Sequence, residues 1–202
     1  MLSLTQKEIE TKLDTFNWNF KVGDNIKHNI QEVFFLYKIK QENCVSTKEK
    51  QFLNKHISII LVCIIEAILY DFVVRLSEAT NHFPLIIDEK KRKDIKSYIS
   101  KQKVPYEFKK SKVKVLRVSN YTLSQILKLL KEFELLEQKD SPIYSTLEEA
   151  IYFRNRIHIY NWFNNFEIDE KYVFTDKRLE ILEKLVVYVL TTMEAKYSRY
   201  KN

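Results

Sequence analysis

Hydrophobic positions along this chain recur three and four residues apart, the repeat of one helix face, and the polar breaks between runs carry helix-starting residues. Thr5 and Glu8 stand at capping-box spacing and predict a short helix to about Phe16. Asp24, next to Gly23, predicts the cap of a second helix through "NIKHNIQEVFFLYKIKQEN". Ser46 or Thr47 opens a third, reaching roughly Asn81. Its centre, "ISIILVCIIEAILYDFVV", is apolar on nearly every face, which means deep burial or a membrane span. At about eighteen residues the run is near the lower limit for spanning, and Glu66 and Asp71 would each be expensive in lipid. The run therefore predicts a central bundle helix, with Asp71 paired to Arg75 one turn on.

After Pro84 the pattern changes. "DEKKRKDIKSYISKQK" reads as a helix, whereas "SKVKVLRVS" alternates with period two and reads as a short strand, giving a small irregular or β excursion near 103–118. Thr122 caps a further helix, "LSQILKLLKEFELLEQK", and Ser141-Pro142 breaks the chain. Thr146 and Glu149 form a second capping box that opens the next helix, and Thr175 opens the last, "DKRLEILEKLVVYVLTTMEAKYSRY". The predicted fold is all-α, a bundle of about five to six helices in one domain over 1–202, with a basic insertion at about 88–118.

Composition narrows the classes. One glycine and three prolines in 202 residues leave little turn chemistry for a strand-rich fold. With 45% hydrophobic residues the chain has the material for a packed core. Cys44 and Cys63 have no CxxC spacing and the N-terminus lacks a leader pattern, so a reducing cytoplasm is the expected location. The net charge of +7 is uneven: residues 90–117 hold twelve Lys or Arg against Asp94 and Glu107, a local +10. Lys90, Lys91, Arg92, Lys93, Lys109, Lys110, Lys112, Lys114 and Arg117 form a candidate RNA-binding set. A solvated lysine-rich excursion, or a contact with an anionic membrane surface, would have the same composition. His28, His56 and His82 sit on separate elements without ligand spacing, so no metal site and no cofactor are expected.

Chemistry concentrates in "EEAIYFRNRIHIYNW". On a helix, Arg154 and His158 share a face. Arginine's planar fork matches phosphate oxygens, and an imidazole exchanges a proton near neutrality. RNA supplies its own nucleophile, the 2′-hydroxyl, so such a pair could cleave it without a metal. Read from the residues alone, a lone pair of this kind is more often a structural or surface contact on a half-buried helix. Glu66, at the centre of the apolar helix, is expected to be desolvated and to need a partner: the Arg154–His158 helix, or a Tyr or Asn of the core.

"FRNRIHIY" resembles the signature of the HEPN superfamily, an Arg, usually followed by Asn, then four to six residues to a His, often with a Tyr two positions on. Arg154, Asn155, His158 and Tyr160 stand in that order. "CIIEAILYDF" is similar to the acidic-centred apolar helix of several HEPN groups, with Glu66 as its acid. Three residues rather than four separate Arg154 from His158, a departure from the usual minimum. The resemblance implies a helical bundle, commonly a homodimer, in which Arg and His of two subunits meet in one cleft. It implies a metal-independent endoribonuclease of a toxin–antitoxin or phage-defence system, with Arg154 and His158 catalytic and Asn155, Tyr160 and Glu66 supporting. In some such systems the antitoxin modifies the Tyr that Tyr160 matches. Inactive members of the superfamily serve as dimerisation or RNA-binding modules, and the shortened spacing keeps that alternative open.

Overall fold

The computed structural model describes residues 2–17, 20–42, 44–78, 88–101, 122–155 and 173–198. These contain seven helices and no strand, slightly more helices than the five to six expected: α1 (Gln6–Phe16), α2 (Phe20–Gln41), α3 (Thr47–Glu78), α4 (Glu89–Lys101), α5 (Leu123–Glu132), α6 (Pro142–Asn155) and α7 (Asp176–Tyr197). The strand expected at "SKVKVLRVS" lies outside the described residues.

Four helix starts follow the predicted chemistry. Thr5 and Glu8 close a capping box on α1, and Thr122 and Gln125 close one on α5. Ser46 and Glu49 bond reciprocally ahead of α3, and the Thr175 hydroxyl accepts from Arg178 N at the start of α7. Each arrangement satisfies amide donors that the first turn would otherwise leave bare.

Three boundaries differ from expectation. Helix α2 begins at Phe20, so Gly23 and Asp24 lie inside it and Asp24 is not its cap. A Cβ at Gly23 would fall 2.3 Å from Asn17 Nδ2, so the missing side chain leaves room for the α1–α2 connection. Helix α5 stops at Glu132 instead of continuing to 139, because Glu134 takes a left-handed φ of 48°. Leu135 N then bonds Leu130 O at 2.9 Å and Glu134 N bonds Lys131 O at 3.2 Å, the two closures of a Schellman motif. Helix α6 begins at Pro142, one turn before the expected Thr146. Proline's fixed φ and missing N–H suit the first helical position, and the Thr146 hydroxyl donates back to Pro142 O at 3.0 Å.

Helix α3 is the hub, packing against α2, α4, α5, α6 and α7, while α1 lies on α2 and α7. By length and composition α3 is apolar enough to cross a membrane, but 61% of its most apolar stretch is buried inside the bundle. Residues from all seven helices join one buried apolar cluster, among them Ile9, Ile30, Leu61, Ile95, Ile126, Leu147 and Val186. Asp71 pairs with Arg75 as expected, and Arg75 also donates to Phe16 O, tying α3 to the end of α1.

Candidate functional site

On α6, Leu147, Ala150 and Ile151 are buried, and Arg154 follows four and three residues after the last two. It therefore lies on the core-facing side, and its guanidinium reaches α3. There Glu66 stands one turn beyond the buried Val62. Arg154 Nη2 donates to Glu66 Oε2 at 2.7 Å, one of the two kinds of partner left open for Glu66. The side chains keep 23% and 34% of their exposure, so Glu66 is half-buried and not desolvated: the α3 stripe carrying Cys63 and Glu66 reaches the surface beside α6. Among the described residues Glu66 is Arg154's hydrogen-bond partner, and the buried Arg154 Nε has none. Burial pushes the Cys63 thiol pKa up, with Arg154 beside it acting to lower it and Glu66 to raise it. A thiol shifted this way is protonated at neutral pH and weakly nucleophilic.

Arg154 also lines an open pocket between α3, α6 and the start of α7. Ser58, Ile59 and Val62 form the α3 wall, and Thr146, Glu149 and Ala150 the α6 wall. Val173, Phe174, Arg178, Ile181 and Leu182 close the third side. The walls are mainly apolar with a few convergent polar groups, the usual make-up of a small-ligand site. Arg178 Nη1 donates to Val173 O at 3.0 Å, which holds the guanidinium against the α7 entry. Lys55 Nζ sits 5.9 Å from the Phe174 ring centroid. The charged residues that line the pocket are Arg154 and Arg178 against Glu149, with Glu66 pairing Arg154 from outside it.

Behind the pocket, the buried Asn54 donates to Phe174 O at 3.3 Å and to Asp176 Oδ1 at 3.0 Å. Asp176 also pairs with Lys40 at 2.6 Å. These contacts bind α2, α3 and the start of α7 together and fix the Val173–Phe174 wall.

The other candidates distribute as follows. Asn155 is exposed at the end of α6. His158 and Tyr160 lie outside the described residues, as do Lys109, Lys110, Lys112, Lys114 and Arg117. Lys90 and Lys93 are exposed on α4, and Lys91 and Arg92 are half-buried. The opposite side of α4 is docked: Ile95 is buried, and Tyr98 meets Phe133 edge-on at 5.5 Å. Among the described residues, no group of three or more His, Cys, Asp or Glu is arranged to hold a metal ion.

Arg178, Phe174 and Lys55 escape a sequence reading because tertiary packing alone brings them to Arg154. One signal was present. Lys177 and Arg178 occupy the first turn of α7, where the helix dipole disfavours cations. Comparison with known proteins finds no matching family model, no matching curated protein and no matching solved structure.

Proposed function

We propose that the chain is a HEPN-like, metal-independent endoribonuclease of a toxin–antitoxin or phage-defence system. The observation that carries this reading is the Arg154–Glu66 ion pair, which joins the two segments bearing the resemblance. Glu66 holds one edge of the guanidinium, and the remaining donors are those a phosphate would use. In the proposed reaction the RNA 2′-oxygen attacks phosphorus as its proton passes to a base. The P–O5′ bond breaks, and the departing 5′-oxygen takes a proton. A 2′,3′-cyclic phosphate and a 5′-hydroxyl result. Arg154 neutralises the crowded phosphate, and His158 serves as general acid or base. Asn155 orients either group, and Tyr160 occupies the position open to modification by an antitoxin. The exposed cations of α4, together with 109–117, gather RNA. A homodimer would bring two such pairs to one cleft.

The second reading is a catalytically inactive HEPN-like module that dimerises or binds RNA. Glu66 already counters Arg154's charge, and this favours it. An RNA-cleavage assay in EDTA separates the two. Arg154→Ala and His158→Ala should each lose about a hundredfold or more of wild-type activity, the scale of a lost charge-stabilising donor or general acid–base group. Equal cleavage by all three proteins would remove the catalytic assignment. Salt-sensitive RNA binding without cleavage by the wild type would establish the module.

A further inference from the structure

We infer that the α3–α6–α7 pocket is the seat of a nucleobase, holding one nucleotide of the RNA beside the phosphate bound by Arg154. This rests on the ribonuclease reading for the identity of the ligand, and on the pocket itself for its chemistry. Its walls join apolar side chains (Ile59, Val62, Phe174, Ile181) to the guanidinium groups of Arg154 and Arg178. A nucleotide has the same division, an apolar base face and one anionic group. Arg154 belongs to both parts, since it lines the pocket, pairs with Glu66, and keeps a buried Nε donor with no partner among the described residues. A buried donor in that condition calls for an acceptor. A ribose-linked phosphate entering over the apolar wall brings its oxygens to that guanidinium. Ile181 is 42% exposed although it sits at the start of a well-packed helix, as a rim residue that meets a ligand would be.

The test is calorimetric titration of the full chain with adenosine 3′-monophosphate, adenosine and inorganic phosphate, and with decanoate as an anionic amphiphile lacking a base. The mononucleotide should bind at least tenfold more tightly than inorganic phosphate. Ile181→Ser and Ile59→Ser, which remove apolar wall on α7 and α3 without adding charge, should each weaken the mononucleotide at least threefold while leaving phosphate binding within twofold. Equal affinity for mononucleotide and phosphate, measured on the wild type alone, overturns the inference whatever the variants do. So does insensitivity of the mononucleotide to both folded variants, and decanoate binding more tightly than the mononucleotide would assign the pocket to a lipid-like ligand instead. The ribonuclease reading is tested separately. Cleavage lost in His158→Ala with mononucleotide binding retained supports both readings, tight nucleotide binding by a wild type that cuts no RNA leaves only the pocket, and cleavage indifferent to the wall variants leaves only the enzyme.

Discussion

In the proposed reaction Arg154 does two jobs with one side chain, and the difference between arginine and lysine separates them. Its Nη2 is committed to Glu66 at 2.7 Å, so any phosphate contact must come from the rest of the planar fork. A lysine here keeps the charge but has one point of contact, and cannot hold Glu66 and a phosphate oxygen in fixed register. Arg154→Lys should therefore retain most of the stability while losing at least tenfold in RNA cleavage. Arg154→Ala should in addition cost about 1 kcal/mol by stranding a half-buried carboxylate, a modest figure because both side chains remain partly in water. Thermal melts of the two variants beside their cleavage rates check this. A melting temperature for Arg154→Lys as low as that for Arg154→Ala would mean that geometry, not charge, holds the pair. That Glu66 needs a partner was legible in the sequence, but the pattern left the α6 arginine and a Tyr or Asn of the core as alternatives, and packing decides for Arg154. The pocket around it was not legible. Its third wall comes from residues 173–182, whose approach to α6 is a product of packing that no local pattern encodes.

At the scale of elements, the turn after α5 shows how a helix ends without glycine. Glu134 occupies the left-handed position that closes the Schellman motif, a conformation that costs a residue bearing a Cβ about 1 kcal/mol. Neighbouring contacts hold it there. The Tyr144 hydroxyl is within bonding distance of Leu130 O and Glu137 O, Tyr197 donates to Leu135 O at 2.6 Å, and Lys196 donates to Leu136 O. Glu134→Gly should relieve the strain and stabilise the protein by about 0.5 kcal/mol, the gain being reduced by glycine's freedom in the unfolded chain. Glu134→Ala keeps the strain and loses the bond from Lys139 N, so it should be neutral or slightly destabilising. Denaturant melts of the pair would distinguish strain relief from loss of the carboxylate. This is also why the sequence reading extended α5 too far: "KEFELLEQK" has helix-forming composition, and the stop lies in tertiary bonds to α6 and α7. Starts were more legible than stops, since capping hydroxyls at Thr5, Ser46, Thr122 and Thr175 act within their own turn. Pro142 reads as a break or a first helical residue, and only the preceding turn decides which.

Across the whole molecule, α3 gathers the bundle and its polar residues hold other helices to it at both ends. Near its C-terminal end Arg75, held by Asp71, reaches α1, in the middle Glu66 reaches α6, and near its start Asn54 reaches the entry of α7. That last junction makes stability depend on acid. The bond from Lys40 and then that from Asn54 lower the Asp176 pKa below its ordinary 3.8. A carboxylate with a depressed folded-state pKa stabilises the protein fully above its unfolded value, and that contribution disappears as pH falls through the folded one. Asp176→Asn should therefore melt below wild type near neutral pH, with the gap closing as pH drops below about 3.8. The Asp176 side chain is 81% exposed, so the gap at neutral pH should be small and should shrink with added salt. Melting curves from pH 2 to 7 at low and high ionic strength provide the check. A gap that persists at the acid end would show that Asp176 stabilises the junction through something other than its charge.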